Sequence, residues 1–347
     1  MMTNIQQRLT DLFEKELKPQ VRSIDAGFYP KELLTRLGEE GYFSSEGAAS
    51  SAYLQRELDV VAEASRFCMT TGFLIWCHLA ALTYMRKSEN DKLKKRMLSR
   101  LENGSTLAGT GLSNPMKYYA GLETLHLQAA KVDGGYVVNG TLPSVSNLDQ
   151  THWFGAIAEV NADQRVMLFV SCAADGLIRK AKTNYLGING SGTYACHFDD
   201  VFISEEDVLA EDADSFIKQI RPDFLAYQIP LGFGVTKAAL ASIERYRSRQ
   251  GGCNQFLPLQ PEAIQAELEE LQTEVTHLAS RGLSWEALLP LRKRTATLTI
   301  EAVHTAMLHG GGAAYLSNSP EARRLREAYF LINLTPTIKH LEKMLTV

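Results

Sequence analysis

This sequence of 347 residues has little of what would mark several common functions. Its five cysteines, Cys68, Cys77, Cys172, Cys196 and Cys253, form no Cys-x-x-Cys pair and lie in largely apolar surroundings. That excludes a zinc ribbon or a disulfide framework and predicts a reduced, cytoplasmic setting. Basic residues are not in excess: 36 Lys and Arg stand against 40 Asp and Glu, a formal net charge of -4, so the basic surface that nucleic acid demands is missing. Eight histidines include no His-x-x-x-His or His-Glu-x-x-His pair, and no metal site is predicted. There is no internal repeat and no low-complexity linker. The uncharged run Met69 to Met85 falls short of the ~20 residues that a bilayer span needs and has mixed-charge flanks, so it is read as a helix buried in a bundle. The opening MMTNIQQRLTDLFEKEL carries both charge signs and no small-residue cleavage site, which reads as an amphipathic helix and not a secretory signal.

What is present is a change of period. Residues 3 to 20, the stretch from Pro30 with Leu33, Leu34 and Leu37 as its inner stripe, residues 52 to 68, and SENDKLKKRMLSRLENG all repeat at three and four. The last has a Ser-x-x-Asp start at Ser88 and a stop at Gly104. From Thr106 the period falls to two. LAGTGL, LHLQAAKV, GYVVNGTL, HWFGAIAEV, VMLFVSC, LIRKA and TYACHFDDVFI read as short antiparallel strands, the second and third joined by an Asp133-Gly134 turn. After Glu211 the helical period returns, with four helices predicted, the first continuous from Phe224 to Arg249. The predicted fold is therefore α+β in three parts: helices over 1–105, an antiparallel barrel or sandwich over 106–212, and a helical bundle over 213–347.

Within that order, Leu186 to Leu209, LGINGSGTYACHFDDVFISEEDVL, closely resembles the Leu-Gly, Gly-Ser-x-Thr, Phe-Asp-Asp-Val segment of the acyl-CoA dehydrogenase family. Other landmarks agree with it. Leu112-Ser113-Asn114-Pro115 stands where the family has a small hydroxyl residue, Glu and Pro, and Asn139-Gly140-Thr141 with Ser144-Val145-Ser146-Asn147 is similar to its Asn-Gly-x-Lys and Trp-Ile-Thr-Asn. Gly310-Gly311-Gly312-Ala313-Ala314-Tyr315 and Arg326-Glu327-Ala328 resemble its Gly-Gly-x-Gly-Tyr and Arg-Asp-Ala.

The resemblance implies an FAD-dependent oxidoreductase that desaturates the α,β bond of an acyl thioester, carried by CoA or by a carrier protein, assembled as a homodimer or homotetramer, with the electron acceptor left open. It implies that Thr110, Leu112 and Ser113 lie along the pyrimidine side of the flavin and that Ser146 approaches N5. Ser144 takes the place of an aromatic residue over the ring, so that stacking there is lost or is supplied by another residue such as Trp153 or Tyr119. Arg249 and the Gly310-Gly311 turn would approach the dinucleotide part, mainly that of a neighbouring subunit. His304 and His309 are candidates for the pocket wall or for the core. Desaturation needs a carboxylate to take the α-proton, yet Phe330 to Thr337, where most members place a Glu, contains none. Asp223 is the acid in range on the first bundle helix, either as that base or as a first-turn acid of the helix. Two other readings stay open: a reduced-flavin-dependent monooxygenase of the same fold, which needs no base there, and a catalytically silent acyl-CoA-binding relative.

Overall fold

A computed structural model describes residues 4–346, so the part of the first helix expected at residue 3 lies outside the described residues. The amino-terminal helices are α1 (Asn4–Leu12), α2 (Val21–Asp25), α3 (Lys31–Glu39), α4 (Ser50–Phe67), α5 (Met69–Lys87) and α6 (Asp91–Glu102). Every residue of α5 from Met69 to Met85 is buried, which is why its sequence shows no polar face. Among the described residues no helix is long and apolar enough to cross a membrane. Helix α6 starts two residues later than Ser88 suggested. Asn90 caps it by accepting from Leu93 N at 3.1 Å, while the Ser88 hydroxyl donates to Leu209 O at 2.6 Å and so ties this helix to the sheet.

The strands are β1 (Ala108–Thr110), β2 (Leu127–Val132), β3 (Gly135–Val145), β4 (Trp153–Asn161), β5 (Gln164–Ser171), β6 (Leu177–Ala181), β7 (Tyr194–Ser204) and β8 (Val208–Ala210), and a short helix α7 (Ser113–Tyr118) follows β1. They form one sheet in the order β6-β7-β3-β2-β4-β5-β8, with β1 on β4. Most pairs are antiparallel as expected, but β1 and β2 each run parallel to β4. The sheet is therefore mixed, because the long connections from both strands to β4 leave room for crossovers that a tight hairpin would not. Strands β4 and β5 are buried through their middles. Phe154, Ala156, Leu168 and Val170 face the sheet's own core, while Ile157, Met167 and Phe169 join the helical core. Burial on both faces explains why VMLFVSC reads as a continuous apolar run while β2 alternates.

The carboxyl-terminal helices are α8 (Ala213–Ala226), α9 (Ile229–Tyr246), α10 (Pro261–Arg281), α11 (Trp285–Gly310), α12 (Pro320–Asn333) and α13 (Ile338–Thr346). The single helix expected from Phe224 to Arg249 is split at Tyr227 and Gln228, since Pro230 has no N–H to continue the ladder and starts a new helix well.

Candidate functional site

A cavity of about 320 Å³ opens where α5, β1, β3, α8 and α12 meet. Its polar side comes from β1 and β3. Strand β1 is pressed against β3 at Gly109, where a Cβ would stand 2.1 Å from Ser146 O, so only glycine lets the two strands approach this closely. Asn147, in the left-handed conformation with φ 64°, holds the junction by donating to Ala108 O at 2.7 Å and accepting from Tyr29 Oη at 2.6 Å. The result is a row of lining hydroxyls. Thr110 Oγ1 is 2.7 Å from Tyr84 Oη, Ser146 Oγ is 2.8 Å from Thr193 Oγ1, and Ser113 Oγ is 3.1 Å from Thr335 Oγ1.

The opposite side is aromatic. Phe73 stacks on Trp76 at 5.4 Å, Trp76 meets Phe224 edge-on at 4.9 Å, and Phe73 meets Phe330 edge-on at 4.8 Å. Trp76 Nε1 also donates to Phe224 O at 2.9 Å, so the indole is satisfied and its position fixed. Leu186, Gly187, Ile188 and Thr193 close the third side. Ile188 takes φ 59° there, a strained conformation for a β-branched residue.

Electrically the cavity is quiet. Burial pushes the Cys77 thiol and the Tyr84 and Tyr185 hydroxyls upward, so all three stay neutral. Among the described lining residues none is Asp or Glu, and the one formal charge, Arg326, pairs with Asp25. The Tyr185 hydroxyl is buried, with the Ser144 hydroxyl as its polar neighbour. A planar, mostly apolar ring system with polar edges suits such a lining, and the volume is at the small end of ligand sites, ~300–1,000 Å³.

Comparison with known proteins decides the frame in which to read this cavity. Residues 2–105 match the family described as the acyl-CoA dehydrogenase N-terminal domain. Benzylmalonyl-CoA dehydrogenase of Aromatoleum aromaticum is 23% identical over 361 residues, covering 95% of this chain and 94% of its own. Residues 2–105 thus match that N-terminal domain, and similarity to proteins named as acyl-CoA dehydrogenases runs along nearly the whole chain. Acyl-CoA dehydrogenase from Geobacillus kaustophilus has the same fold at TM-score 0.88 and 16% identity, covering 98% of this chain and 96% of that one. So does a glutaryl-CoA dehydrogenase from Mycobacterium smegmatis solved in complex with FADH2, at TM-score 0.78 and 16% identity, with 97% and 91% covered.

In this acyl-CoA dehydrogenase fold the residues singled out from sequence separate into two groups. Thr110, Ser113, Ser144 and Ser146 line the cavity together. Leu112 is fully buried beneath it, its N–H donating to Thr110 Oγ1 at 3.4 Å, and is not a lining residue. Asp223 is not a lining residue either: its carboxylate pairs with Lys87 at the end of α5, while its neighbour Phe224 faces the cavity. Arg249, Gly310 and Gly311 gather at the far ends of α9 and α11, where Arg249 stacks on the Tyr246 ring at 4.7 Å and a Cβ on Gly310 would touch that same ring at 3.1 Å. Trp153 and Tyr119, the expected stacking replacements, are engaged elsewhere. Trp153 stacks on Phe169 at 5.2 Å and Tyr119 donates to Asp214 at 2.8 Å. His309 is buried and His304 lies against Tyr329 at 6.1 Å. Sequence reasoning missed the aromatic side altogether. Its only signal was Phe73, Trp76 and Cys77 at three-and-four spacing within an all-apolar run, where a lining face cannot be told from a core face.

Proposed function

We propose that this chain binds FAD in the cavity described above and acts as an FAD-dependent oxidoreductase on the CH–CH group next to the carbonyl of an acyl thioester. The observation that carries the reading is the meeting of Thr110, Ser113, Ser144 and Ser146 with the Leu186–Thr193 segment around one small cavity with an aromatic side. FAD, when bound, supplies a hydride acceptor. The chain's own residues would do the rest. The hydroxyls of Thr110 and Ser146, oriented by Tyr84 and Thr193, would hold the polar edge of the ring, and Phe73, Trp76, Phe224 and Phe330 would exclude water and seat the acyl group. Benzylmalonyl-CoA dehydrogenase, similar along nearly the whole chain, is named for a thioester substrate.

One specific observation favours a second reading. Among the described residues none that lines the cavity carries a carboxylate, so a reduced-flavin-dependent monooxygenase of the same fold, which needs no such base, fits the cavity as well as a desaturase. We also propose assembly as a homodimer or homotetramer. Leu308, Leu316, Tyr315 and Phe256 are 60%, 60%, 83% and 80% exposed around the Gly310–Gly312 turn, which is unusual for large apolar side chains left facing water.

Reconstitution with FAD followed by anaerobic titration with a panel of acyl-CoAs tests the function. Bleaching of the flavin by an acyl-CoA supports dehydrogenation. Oxygen uptake that depends on an added flavin reductase supports the monooxygenase. Protein that takes up no FAD removes both, and binding of acyl-CoA without bleaching leaves the silent relative. Light scattering reports the assembly.

A further inference from the structure

Helix α12 separates two cavities. Arg326, Tyr329, Phe330 and Asn333 face the first, while Arg323 and Arg324, with Ser319 and Pro320 at the helix start, face a second cleft of about 590 Å³. Helix α9, the end of α4 at Arg66 and Phe67, and the stretch from Glu14 through α2 complete the second cleft, and among the described residues none lines both.

Positive charge dominates this second lining. Seven Lys or Arg side chains face it against the carboxylates of Glu14 and Asp25. Asp25 is taken by Arg326, on the other side of the helix. Five of the seven cations share four carboxylates. Glu14 pairs with Lys18, Glu63 with Arg66 and Glu327 with Arg323, each at 2.6 Å, while Glu321 serves both Arg245 at 2.8 Å and Arg324 at 3.5 Å. The remaining two, Arg22 and Lys237, make no hydrogen bond or ion pair among the described residues. Counting Asp59, whose charge acts on Lys237 from the neighbouring cleft, two positive charges are left without a matched carboxylate around this one.

The arrangement is built and not merely a scatter of surface lysines. Arg324 is only 6% exposed, donates to Ser242 Oγ at 2.9 Å, and leaves its Nε buried with no acceptor. Burial, and then the neighbouring Arg323, bring its guanidinium down to about 10. An unmade donor on a buried guanidinium is costly, and an anion lodged at the inner end of the cleft would offset the buried charge. Lys237 is an exposed residue, yet the partial desolvation of its amine shifts it downward too, with Glu63 and Asp59 opposing the shift from the neighbouring cleft.

We infer that this cleft is a binding site for a phosphate-bearing small molecule, with Arg324 and Ser242 at its inner end and Lys237, Arg245 and Arg22 around the ligand. A phosphate ester or diphosphate carries the two or three negative charges that match the surplus, and its oxygens suit the forked arginine donors. The cleft's volume exceeds what inorganic phosphate alone needs and lies in the range of sites for whole small molecules, ~300–1,000 Å³. The inference stands apart from the flavin reading, since the two cavities share no residue.

Isothermal titration of the full-length chain with inorganic diphosphate tests it, repeated with ADP to separate an anion site from one that also reads an attached organic group. One saturable site per chain is expected, weakening as salt is raised, and Lys237→Met combined with Arg22→Ala should lower affinity at least about tenfold. Arg324→Met should abolish binding, and is scored only where its melting curve shows a folded protein. Lys95→Ala, on the exposed side of α6, should change nothing. The inference is overturned if millimolar diphosphate and ADP do not bind, if Lys237→Met with Arg22→Ala binds as well as the parent, or if loading the protein with FAD displaces diphosphate.

Discussion

The hydroxyls of Ser113 and Thr335 lie 3.1 Å apart across the cavity wall, although 222 residues separate them in the chain. This contact joins the start of α7, next to the sheet, to the stretch after α12 where most acyl-CoA dehydrogenases place their glutamate. It is also the end of a longer chain of hydrogen bonds that runs into the bundle core. Gln228 donates to Thr335 O at 2.9 Å, and the buried Arg292 donates to Gln228 Oε1 at 3.0 Å and to Leu331 O at 2.7 Å.

Ser113→Ala and Thr335→Val each remove one end of the contact. In a double-mutant cycle by denaturant unfolding, a coupling of about 1 kcal/mol is expected, the usual size of a neutral hydrogen bond. Both variants should also weaken FAD binding, read by equilibrium dialysis. Strictly additive variants would show that the two hydroxyls do not support each other.

Arg292→Met should cost about 1–3 kcal/mol, because it strips the donors from two buried acceptors while the guanidinium has no carboxylate partner whose loss would add more. Burial already brings Arg292 down to about 9, so Arg292→Lys is not expected to rescue the network: a lysine lacks the fork that reaches Gln228 and Leu331 together. Chemical denaturation of both variants measures this.

Gly109→Ala drives a methyl group to 2.1 Å from Ser146 O, a backbone atom that cannot step aside without parting β1 from β3. Overpacking of this kind costs about 1–3 kcal/mol or more. The variant should melt lower and take up less flavin, whereas Gly312→Ala, which meets nothing within 4 Å, should do neither.

Acid should destabilise the protein through His78. Its ring accepts from Ala108 N at 3.2 Å through Nδ1 and faces Leu101 O at 3.0 Å through Nε2, and burial lowers it from 6.5 to about 4. The unfolded chain therefore takes up a proton near pH 6.5 while the folded one does not until about pH 4. Stability from this group is complete above pH 6.5 and falls as pH drops to 4, by about 3 kcal/mol in total. Unfolding at pH 7, 6, 5 and 4 tests the slope, and in His78→Asn the residual histidine slope should reflect His152, His309 and His340, which burial shifts the same way.

Asp223→Asn should leave any flavin reduction by acyl-CoA in place, since the carboxylate pairs with Lys87 and does not line the cavity. The stability change should stay within about 1 kcal/mol, as for other partly exposed ion pairs. Loss of reduction in this variant, with FAD still bound, would restore Asp223 as the base.

Much of this was legible in the chain itself. Local periodicity marked the long helices and seven of the eight strands, because a residue's place on a face depends only on its neighbours, but it missed β8, the short α7 and the first part of α8, and ran α12 and α13 together. The landmarks around Ser113, Ser146 and Leu186–Thr193 pointed to one cavity. What failed did so where spacing is silent. Ser88 and Asn90 are both good caps, and only the pull of Leu209 on Ser88 separates them. Asp223 read as an acid in range, but its partner Lys87 comes from a helix 136 residues away.

The sequence alone determined the succession of helices, sheet and helices, the buried character of α5, and the lack of a carboxylate from Phe330 to Thr337, since composition and period are local properties. Only the tertiary structure decided that Thr335 faces Ser113, that Phe73, Trp76, Phe224 and Phe330 form one side of the cavity, and that unmatched cations from α2, α9 and α12 surround a second. Those arrangements depend on which faces of distant elements are packed together, and packing is a property of the whole chain.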